Sequence, residues 1–315
     1  MDLLLHFRTF VRVAELGGFS AAARALNASQ PAISRQIADL EARLGARLLH
    51  RSPTGVSLTE EGRSFLGAAR AALDSADGAL NVVGAMRGEV EGLVRLGSSI
   101  AFGRLQVLPR LPALLERHPG LSIDLLMADS TTDLVQEGID VSIRIGVVTD
   151  PDLVVRRVGL TRRAVVATPA YLARAGTPLH PDELARHECI RFMGLATREG
   201  WPFEPPPGSG AAGEPFVVPV RGRLRANTSE GVREAVLQGL GLGLCPLWLF
   251  GKELQEGTVV AVLPDWTPTP LPIQAVFSSR RQVPARVRAV VEHLAGEFRL
   301  DPLLTDYGAA SAAAA

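Results

Sequence analysis

The apolar positions near the start of the chain have helical spacing. From Ser29 to Leu44 they predict one buried helix face, at the positions Ile33, Ile37, Leu40 and Leu44. The Ala-rich run Ser20–Leu26 predicts a shorter helix before it, and Asn27-Ala28 is a candidate turn between the two. Ser29 can cap the second helix, and Pro31 stands in its first turn, where a missing N–H costs no hydrogen bond. The pattern therefore predicts two short helices joined by a tight turn.

The polar positions of the second helix fall on its outer face, near its N-terminal end. They are Gln30, Ser34 and Arg35, with Pro31 and the small Ala38 beside them. Gln, Ser and Arg side chains can hydrogen-bond base edges and phosphates, and a small residue allows the helix to approach closely. We therefore predict a helix-turn-helix that binds DNA. The alternative on this pattern alone is a pair of amphipathic helices with an ordinary solvated face.

The residues after Gly45 predict a β-hairpin. Leu48-Leu49 begin an apolar strand, Arg51–Gly55 form a turn with a cation at its tip, and Val56 and Leu58 alternate with polar residues as a returning strand would. A hairpin beside a helix-turn-helix is a wing, and wings place Arg against the sugar–phosphate backbone or in the minor groove. A helix-turn-helix with a wing belongs to a narrower class of DNA-binding domains than two short helices alone would indicate.

Residues 59–87 predict one long helix. Its apolar positions repeat at the 3-4-3-4-3 spacing of a heptad seam, and they are Leu66, Ala69, Leu73, Ala76, Leu80 and Val83. The narrow, Ala-rich stripe favours close pairing with the same helix of a second copy. The alternative is an amphipathic helix packed on its own domain.

Beyond Gly88 the pattern changes to strands that alternate with helices. Predicted strands are Val90–Gly97, Leu121–Met127, Val141–Ile145, Arg163–Ala167, Cys189–Met193, Phe216–Val220 and Leu242–Leu244. Predicted helices are Leu105–Arg117, Thr131–Gln136, Pro181–Ala185 and Glu230–Gln238. This alternation predicts parallel sheets flanked by helices, which bind small molecules beyond the carboxyl ends of their strands.

Several polar and aromatic residues lie at these strand ends and are candidate effector contacts. They are Ser98, Ser99, Phe102, Ser130, Thr131, Arg144, Phe192, Asn227 and Thr228. Hydroxyl groups and backbone N–H groups there could hold an anion, and Arg144 could clamp a carboxylate, so a small carboxylate is the expected effector. For each Ser or Thr taken alone, simple N-capping is the stronger alternative. Arg144 could equally belong to an internal ion pair.

Composition and charge narrow the function further. The whole chain has zero formal net charge, but residues 1–58 hold seven Arg against four acidic residues, which suits a small module that contacts few phosphates per copy. The six His form no metal-ligand spacing, and buried structural thiols are the expected state of Cys189 and Cys245. No apolar run is long enough for a membrane span and no signal peptide is evident, so we expect a cytoplasmic protein.

At this level of detail the chain resembles the LysR-type transcriptional regulators. The resemblance rests on Phe19–Ala23 with Leu26, Ser29–Ile37, Leu40-Glu41, Leu44-Gly45, Leu48-Leu49, Arg51 and Leu58–Gly62, and it continues to about Phe298. It implies an α+β multidomain fold: a winged helix-turn-helix at 1–58, a linker and dimerisation helix at 59–88, and an effector-binding domain at 89–315. The family's effector domain is a pair of α/β subdomains of the periplasmic-binding-protein type. The expected ranges are 91–161 with 267–300 for subdomain I, 162–266 for subdomain II, and a tail at 301–315, with crossings near Thr161–Arg163 and Trp266–Leu271.

The resemblance also implies partners and roles. We expect double-stranded DNA, a small-molecule effector, a homodimer formed through residues 59–87 and a tetramer built from it, with RNA polymerase as a further candidate partner and no cofactor. Gln30, Ser34 and Arg35 are the expected base readers, and Ser20, Pro31 and Arg51 are expected near the backbone. The full predicted DNA-binding set is Ser20, Arg24, Ser29, Gln30, Pro31, Ser34, Arg35, Arg51 and Pro53.

An enzyme or solute carrier with a helical appendage is the alternative class. The sequence contains no GxSxG motif, paired carboxylates or P-loop, which disfavours catalysis, and no export signal that would favour a periplasmic carrier. Gly239–Gly243 does not have the dinucleotide-binding spacing, and a helix end followed by a close-packed strand explains it better. We therefore predict a non-enzymatic regulator.

Overall fold

The chain is described here from a computed structural model, in which residues 2–52, 55–85, 90–129, 134, 137–193, 200–204, 215–278 and 283–305 are described. It divides into two compact units. The first comprises residues 1–90 with 132–140, and the second comprises residues 91–131 with 141–315. In the described residues, no helix is both long enough and apolar enough to cross a membrane.

Ten α-helices are present in the described residues. They are α1 Leu3–Leu16, α2 Phe19–Ala25, α3 Gln30–Leu44, α4 Glu60–Ala85, α5 Ile100–Phe102, α6 Leu111–Arg117, α7 Pro169–Ala175, α8 Ser229–Leu237, α9 Gly251–Glu256 and α10 Ala285–Leu300. A π-helical turn at Gly103–Val107 and a 3-10 turn at Leu108–Arg110 join α5 to α6. Two further 3-10 segments are Pro181–Arg186 and Leu247–Phe250.

The described strands form four sheets. The strands are β1 Leu49–Ser52, β2 Gly55–Leu58, β3 Gly92–Ser98, β4 Leu121–Met127, β5 Val141–Ile145, β6 Leu153–Thr161, β7 Arg163–Ala167, β8 Cys189–Phe192, β9 Trp201–Glu204, β10 Phe216–Val218, β11 Arg225–Ala226, β12 Leu242–Pro246, β13 Val260–Val262, β14 Thr267–Pro268 and β15 Leu271–Ser278. The orders are β1-β2, β10-β9-β14, β11-β8-β12-β7-β13 and β4-β3-β5-β15-β6.

Helix ends in the first unit follow the residues that were predicted to set them. Ser29 caps α3 by accepting a hydrogen bond from the Ala32 N–H at 3.3 Å, and Pro31 lies in the first turn. Gly45 ends α3 in the left-handed conformation, with φ of 66°, which glycine adopts without a steric penalty. The structure confirms both predicted helices and the hairpin.

The core of the first unit buries one side of each of these helices. Ile33, Ile37 and Leu40 of α3 are buried with Phe10, and Leu48 lies beside them. The long helix takes part in this core: Ala69 is fully buried, and Leu66 and Leu73 pack against the same cluster. These positions were predicted to form a dimer seam. The N-terminal part of that stripe instead follows the alternative interpretation, because it packs on its own domain. The side chains of Leu80 and Val83 lie outside the described residues.

The second unit contains two five-stranded mixed sheets. The first large sheet has the order β4-β3-β5-β15-β6, and the second large sheet has the order β11-β8-β12-β7-β13. β3 pairs with β4 and β5 in parallel, while β15 runs antiparallel to β5 and β6. In the other sheet β8 is parallel to β11 and β12, and β7 is antiparallel to β12. The expected parallel pairing is present in both sheets, and β7 and β15 depart from it by running antiparallel to their neighbours. The chain returns through each sheet in the opposite direction by crossing strands, which the alternation of helix and strand does not reveal.

The two crossings between the five-stranded sheets are joined by a buried arginine. β6 ends at Thr161 and β7 begins at Arg163, which is only 7% exposed. Its guanidinium Nε and Nη2 both donate to the carbonyl oxygen of Thr269, at 2.8 and 2.5 Å, in the return crossing between β14 and β15. Burial lowers the pKa of Arg163 to about 10. The hydrogen bonds tie one crossing to the other.

A buried tyrosine–histidine pair stabilises the second sheet near Cys189. The Tyr171 hydroxyl oxygen accepts the Glu188 N–H at 3.1 Å and lies 3.1 Å from His187 Nδ1. Since the oxygen already accepts one bond, we assign its O–H as donor to a neutral His187 ring. Burial lowers the pKa of His187 from its ordinary value of 6.5, and Glu183 acts in the opposite direction.

This pair predicts acid sensitivity. A histidine with a lowered folded-state pKa binds protons more readily when unfolded, so its stabilisation is complete above about pH 6.5 and is lost as the pH falls below it. We expect the free energy of unfolding, measured in urea by tryptophan fluorescence, to fall between about pH 7.5 and about pH 5.5. His187→Gln should flatten this dependence, whereas His50→Gln on the exposed wing should not. Equal slopes in both variants would contradict the assignment.

Candidate functional site

The exposed face of α3 brings together most of the predicted DNA contacts. Gln30, Pro31 and Arg35 are exposed at the N-terminal half of the helix, and Ser34 is half-buried. Their positions follow from the burial of the opposite face, because residues three and four apart on a helix share one side. The structure therefore presents a polar helix face with one guanidinium, which is what groove recognition requires.

Helix α2 and the residues before α3 add to this surface. Ser20 and Arg24 on α2 and Ser29 at the α3 cap are all exposed. The Ser20 hydroxyl donates to Gln30 Oε1 at 3.0 Å, so the Gln30 amide has a defined orientation before any ligand binds. Such fixing reduces the side-chain entropy that binding would otherwise cost.

The wing places a second cation beside the same face. The Arg51 guanidinium lies over the Phe19 ring, 4.5 Å from its centroid, and its Nη1 donates to Ser34 Oγ at 3.3 Å. Arg51 therefore bridges α2 and α3. Pro53 lies outside the described residues.

The position of the wing depends on one carboxylate of α3. Glu41 Oε1 accepts the N–H groups of Leu48 at 2.8 Å and Leu49 at 3.2 Å. On the other strand, the Val56 N–H donates to the Gly17 carbonyl at 3.0 Å. Both strands of the hairpin are therefore attached to the helical part of the domain, through contacts that no sequence motif predicts.

At the edge of the first large sheet, the predicted effector residues have mixed positions. Ser98 ends β3 and is 5% exposed, and its hydroxyl has no hydrogen-bond partner among the described residues. Ser99 precedes α5, and its side chain makes no capping bond. The N–H of Ile100 instead donates to Asp129 Oδ1 at 3.0 Å. Ser130 and Thr131 lie outside the described residues.

Asp129 changes the electrostatics expected at this strand end. The sequence predicts that Ser98 and Ser99 offer hydroxyls and backbone N–H groups to an anion, but the next amide, that of Ile100, already donates to the carboxylate of Asp129. An incoming carboxylate would meet a like charge there. The geometry at this strand end therefore favours a neutral or hydrogen-bond-donating group over the expected carboxylate.

Phe102 and Arg144 have internal partners. Phe102 is fully buried between the rings of Trp248, at a centroid distance of 5.1 Å, and Phe298, at 5.6 Å. It therefore contributes to the core. Arg144 is half-buried; burial lowers its pKa, and the nearby Asp150 acts in the opposite direction. Both roles considered for Arg144, the carboxylate clamp and the internal ion pair, stay predictions.

The second large sheet contributes the remaining candidates. Phe192 is half-buried at the end of β8, and Asn227 is exposed just before α8. Thr228 Oγ1 accepts the Gly231 N–H at 3.0 Å, so it caps α8, as the alternative interpretation held. Opposite α8, the Arg104 side chain forms an ion pair with Glu230 that no sequence pattern indicated.

Both cysteines are buried thiols. Burial raises the pKa of Cys189 to about 12 and that of Cys245 to about 12. Thiols with such pKa values are poor nucleophiles at neutral pH, which disfavours redox sensing. Among the described residues, no group of His, Cys, Asp or Glu could hold a metal ion.

The wing attachment predicts the effect of removing one carboxylate. Glu41→Ala leaves two backbone N–H groups without their acceptor, so the amides of residues 47–52 should exchange hydrogen about 10- to 100-fold faster. Hydrogen-exchange mass spectrometry of the full chain measures this. Asp39→Ala, on the same helix, is the control, because the Asp39 carboxylate lies beside the His6 ring of α1, with Oδ2 3.9 Å from Nε2. Unchanged exchange in Glu41→Ala would show that the wing does not depend on Glu41.

Comparison with known proteins covers almost the whole chain. The family "Bacterial regulatory helix-turn-helix protein, lysR family" matches residues 4–63, and "LysR substrate binding domain" matches residues 87–299. The chain is 36% identical to the HTH-type transcriptional regulator PtxR of Pseudomonas aeruginosa, over 95% of this chain and 94% of PtxR. It is 33% identical to the regulator DmlR of Escherichia coli, over 95% of each chain. The solved structure of CrgA, a LysR-type transcriptional regulator from Neisseria meningitidis, covers 93% of this chain and matches over 98% of its own, with a TM-score of 0.58 and 28% identity.

Proposed function

The chain belongs to the LysR family of DNA-binding transcriptional regulators, which are not enzymes, and we propose how its residues perform that regulation. The observation that carries the proposal is the exposed N-terminal half of α3, where Gln30 and Ser34 are each held by a neighbouring side chain. In this proposal α3 enters the major groove, and Gln30, Ser34 and Arg35 contact base edges. Ser20, Pro31 and Arg51 lie against the backbone, and Arg24, Ser29 and Pro53 complete the contact surface.

The proposed assembly is a homodimer that forms a tetramer. A single module with a net excess of three positive charges binds few phosphates, so two linked modules are needed for a high affinity. Leu66, Ala69 and Leu73 pack on their own domain, which leaves the more C-terminal part of α4 for pairing with a second copy. RNA polymerase is a further proposed partner, and DNA binding implies a cytoplasmic location.

The substrate-binding domain is proposed to respond to a small effector held between the two large sheets. The polar residues at the strand ends support this location, and the buried Ser98 hydroxyl has no hydrogen-bond partner within the described part of the chain. Binding there would favour one spacing of the two sheets and thereby change the arrangement of the reading helices and the bend of the DNA. The proposed subdomains are residues 91–161 with 267–300 and residues 162–266. A carboxylate stays a candidate effector, although Asp129 disfavours an anion beside Ile100.

Arg35 should determine sequence preference. Arg35→Ala should weaken specific binding by ~1–3 kcal/mol if the side chain forks onto a base, with a smaller loss on nonspecific DNA. The measurement is fluorescence anisotropy on a duplex that the wild-type protein has selected from a random library, compared with a scrambled duplex. Arg43→Ala, near the C-terminal end of α3, should change neither affinity. Equal losses on both duplexes would remove Arg35 from the base readers.

Arg51 should contribute to affinity without selecting the sequence. Arg51→Gln removes one cation at the wing, so binding to specific and scrambled duplexes should weaken by similar factors. The slope of log K against log salt should become shallower by about one. Titrations at several salt concentrations measure that slope. A loss confined to the selected duplex would instead place Arg51 among the base readers.

A further inference from the structure

An ion pair joins the two large sheets at the place where the effector is proposed to bind. Arg104 follows α5, on the side of the first sheet, and Glu230 lies in the first turn of α8, on the side of the second. The Arg104 Nε and Nη2 both donate to Glu230 Oε1, at 3.1 and 2.6 Å. The contact is between opposite charges on the two sides, so it can bias the separation of the sheets.

The backbone around Arg104 is unusual for a helix. Residues Gly103–Val107 form a π-helical turn, a form that is rare and is enriched at functional sites. A Cβ at Gly103 would lie 2.7 Å from Sδ of the exposed Met127 side chain, so glycine lets this turn lie against the end of β4 without moving Met127. Arg104 therefore extends towards Glu230 from a turn that packs beside β4.

An apolar contact lies beside the ion pair. Phe102, two residues before Arg104, packs edge-on against Trp248, which follows β12 of the second sheet. The aromatic contact is buried, whereas the Arg104 side chain is 50% exposed and that of Glu230 is 31% exposed. The ion pair is therefore the part of this junction that solvent, salt or a ligand can reach.

Its neighbours along the chain are the proposed effector contacts. Ser98 and Ser99 precede Arg104 on the first side, and Asn227 and Thr228 precede Glu230 on the second. A ligand placed between these strand ends changes the distance between the elements that hold the two charges. The strength of the ion pair then enters the free-energy difference between the two spacings.

We propose that Arg104 and Glu230 are positioning residues for the effector response, which hold the ligand-free spacing of the two sheets through their ion pair. The inference rests on the proposed effector cleft. It requires no direct contact between either residue and the effector. An effector that needs a wider spacing works against this pair, and one that needs the same spacing is assisted by it.

The test measures local opening in the full-length protein without any effector. Arg104→Gln and Glu230→Gln should each make the amides of residues 100–107 and 229–237 exchange hydrogen about two- to five-fold faster, which is the range for a partly exposed pair. The double variant should be no faster than either single variant, because one interaction is lost in all three. Raising the salt from about 0.05 M to about 0.5 M should speed exchange in the wild type and leave the double variant unchanged.

A matched pair within the first sheet is the control. Arg156 of β6 and Glu292 of α10 form a pair that is also partly exposed, with Nη1 donating to Oε1 at 2.6 Å and Nη2 to Oε2 at 3.0 Å. Arg156→Gln should speed exchange only in β6 and α10. The inference is overturned if residues 229–237 exchange at the wild-type rate in Arg104→Gln, or if the two single effects add in the double variant.

The same variants separate this inference from the proposed function. Arg104→Gln and Glu230→Gln leave the proposed base readers Gln30, Ser34 and Arg35 unsubstituted, and the exchange test does not use DNA binding as its readout. Failure of the exchange test leaves DNA recognition standing, because Arg35→Ala tests that independently. Loss of DNA binding by the wild-type chain would refute the proposed function and would leave the exchange result interpretable as a property of the cleft.

Discussion

The burial of one side of α3 is the constraint on which the DNA-binding part depends. Ile33, Ile37 and Leu40 are buried together with Phe10 of α1. Because of their helical spacing, Gln30 and Arg35 lie on the opposite, solvent-exposed side of α3. Burial of apolar side chains contributes much of the free energy of folding, so folding itself places the polar face of α3 at the surface. The surrounding contacts then refine it: Ser20 orients Gln30, and Arg51 reaches Ser34 from the wing.

The elements that the sequence predicted are those with local causes. The helix-turn-helix and its hairpin follow from periodicity, a Ser cap, a first-turn Pro and a left-handed Gly, all of which act within a few residues. α1 has an equally clear cap, because the Asp2 side chain accepts the Leu5 N–H at 3.2 Å, yet the sequence analysis did not assign this helix. The strands β6 and β15 and the helix α10 were also not assigned. β15 is recognisable only through its long-range antiparallel pairing with β5 and β6, which sequence periodicity does not contain.

The effector side was less predictable because its polar residues have partners from distant parts of the chain. Asp129 binds the Ile100 amide, Phe102 is enclosed by Trp248 and Phe298, and Thr228 caps its own helix. Strand ends do mark where polar groups gather, so a candidate region could be named from the sequence, and it stays a prediction. Which of these groups stays available depends on side-chain pairing across the sheets. The buried Arg163, which joins the two crossings, illustrates the same limit, since its acceptor is a backbone carbonyl that no sequence motif identifies.

The way α4 is anchored has a consequence for how this architecture can diverge. Its first turns belong to the core of the DNA-reading module, and the same continuous helix runs on to Ala85. Each residue inserted into an α-helix rotates everything beyond it by roughly 100° and moves it by about 1.5 Å. An insertion or deletion after Leu73 would therefore rotate the C-terminal part of α4 about the helix axis, while the helix-turn-helix and its wing kept their fold. Length changes of about seven residues nearly restore the original phase. The length of α4 after Leu73 should therefore tolerate less variation than the identity of its surface residues.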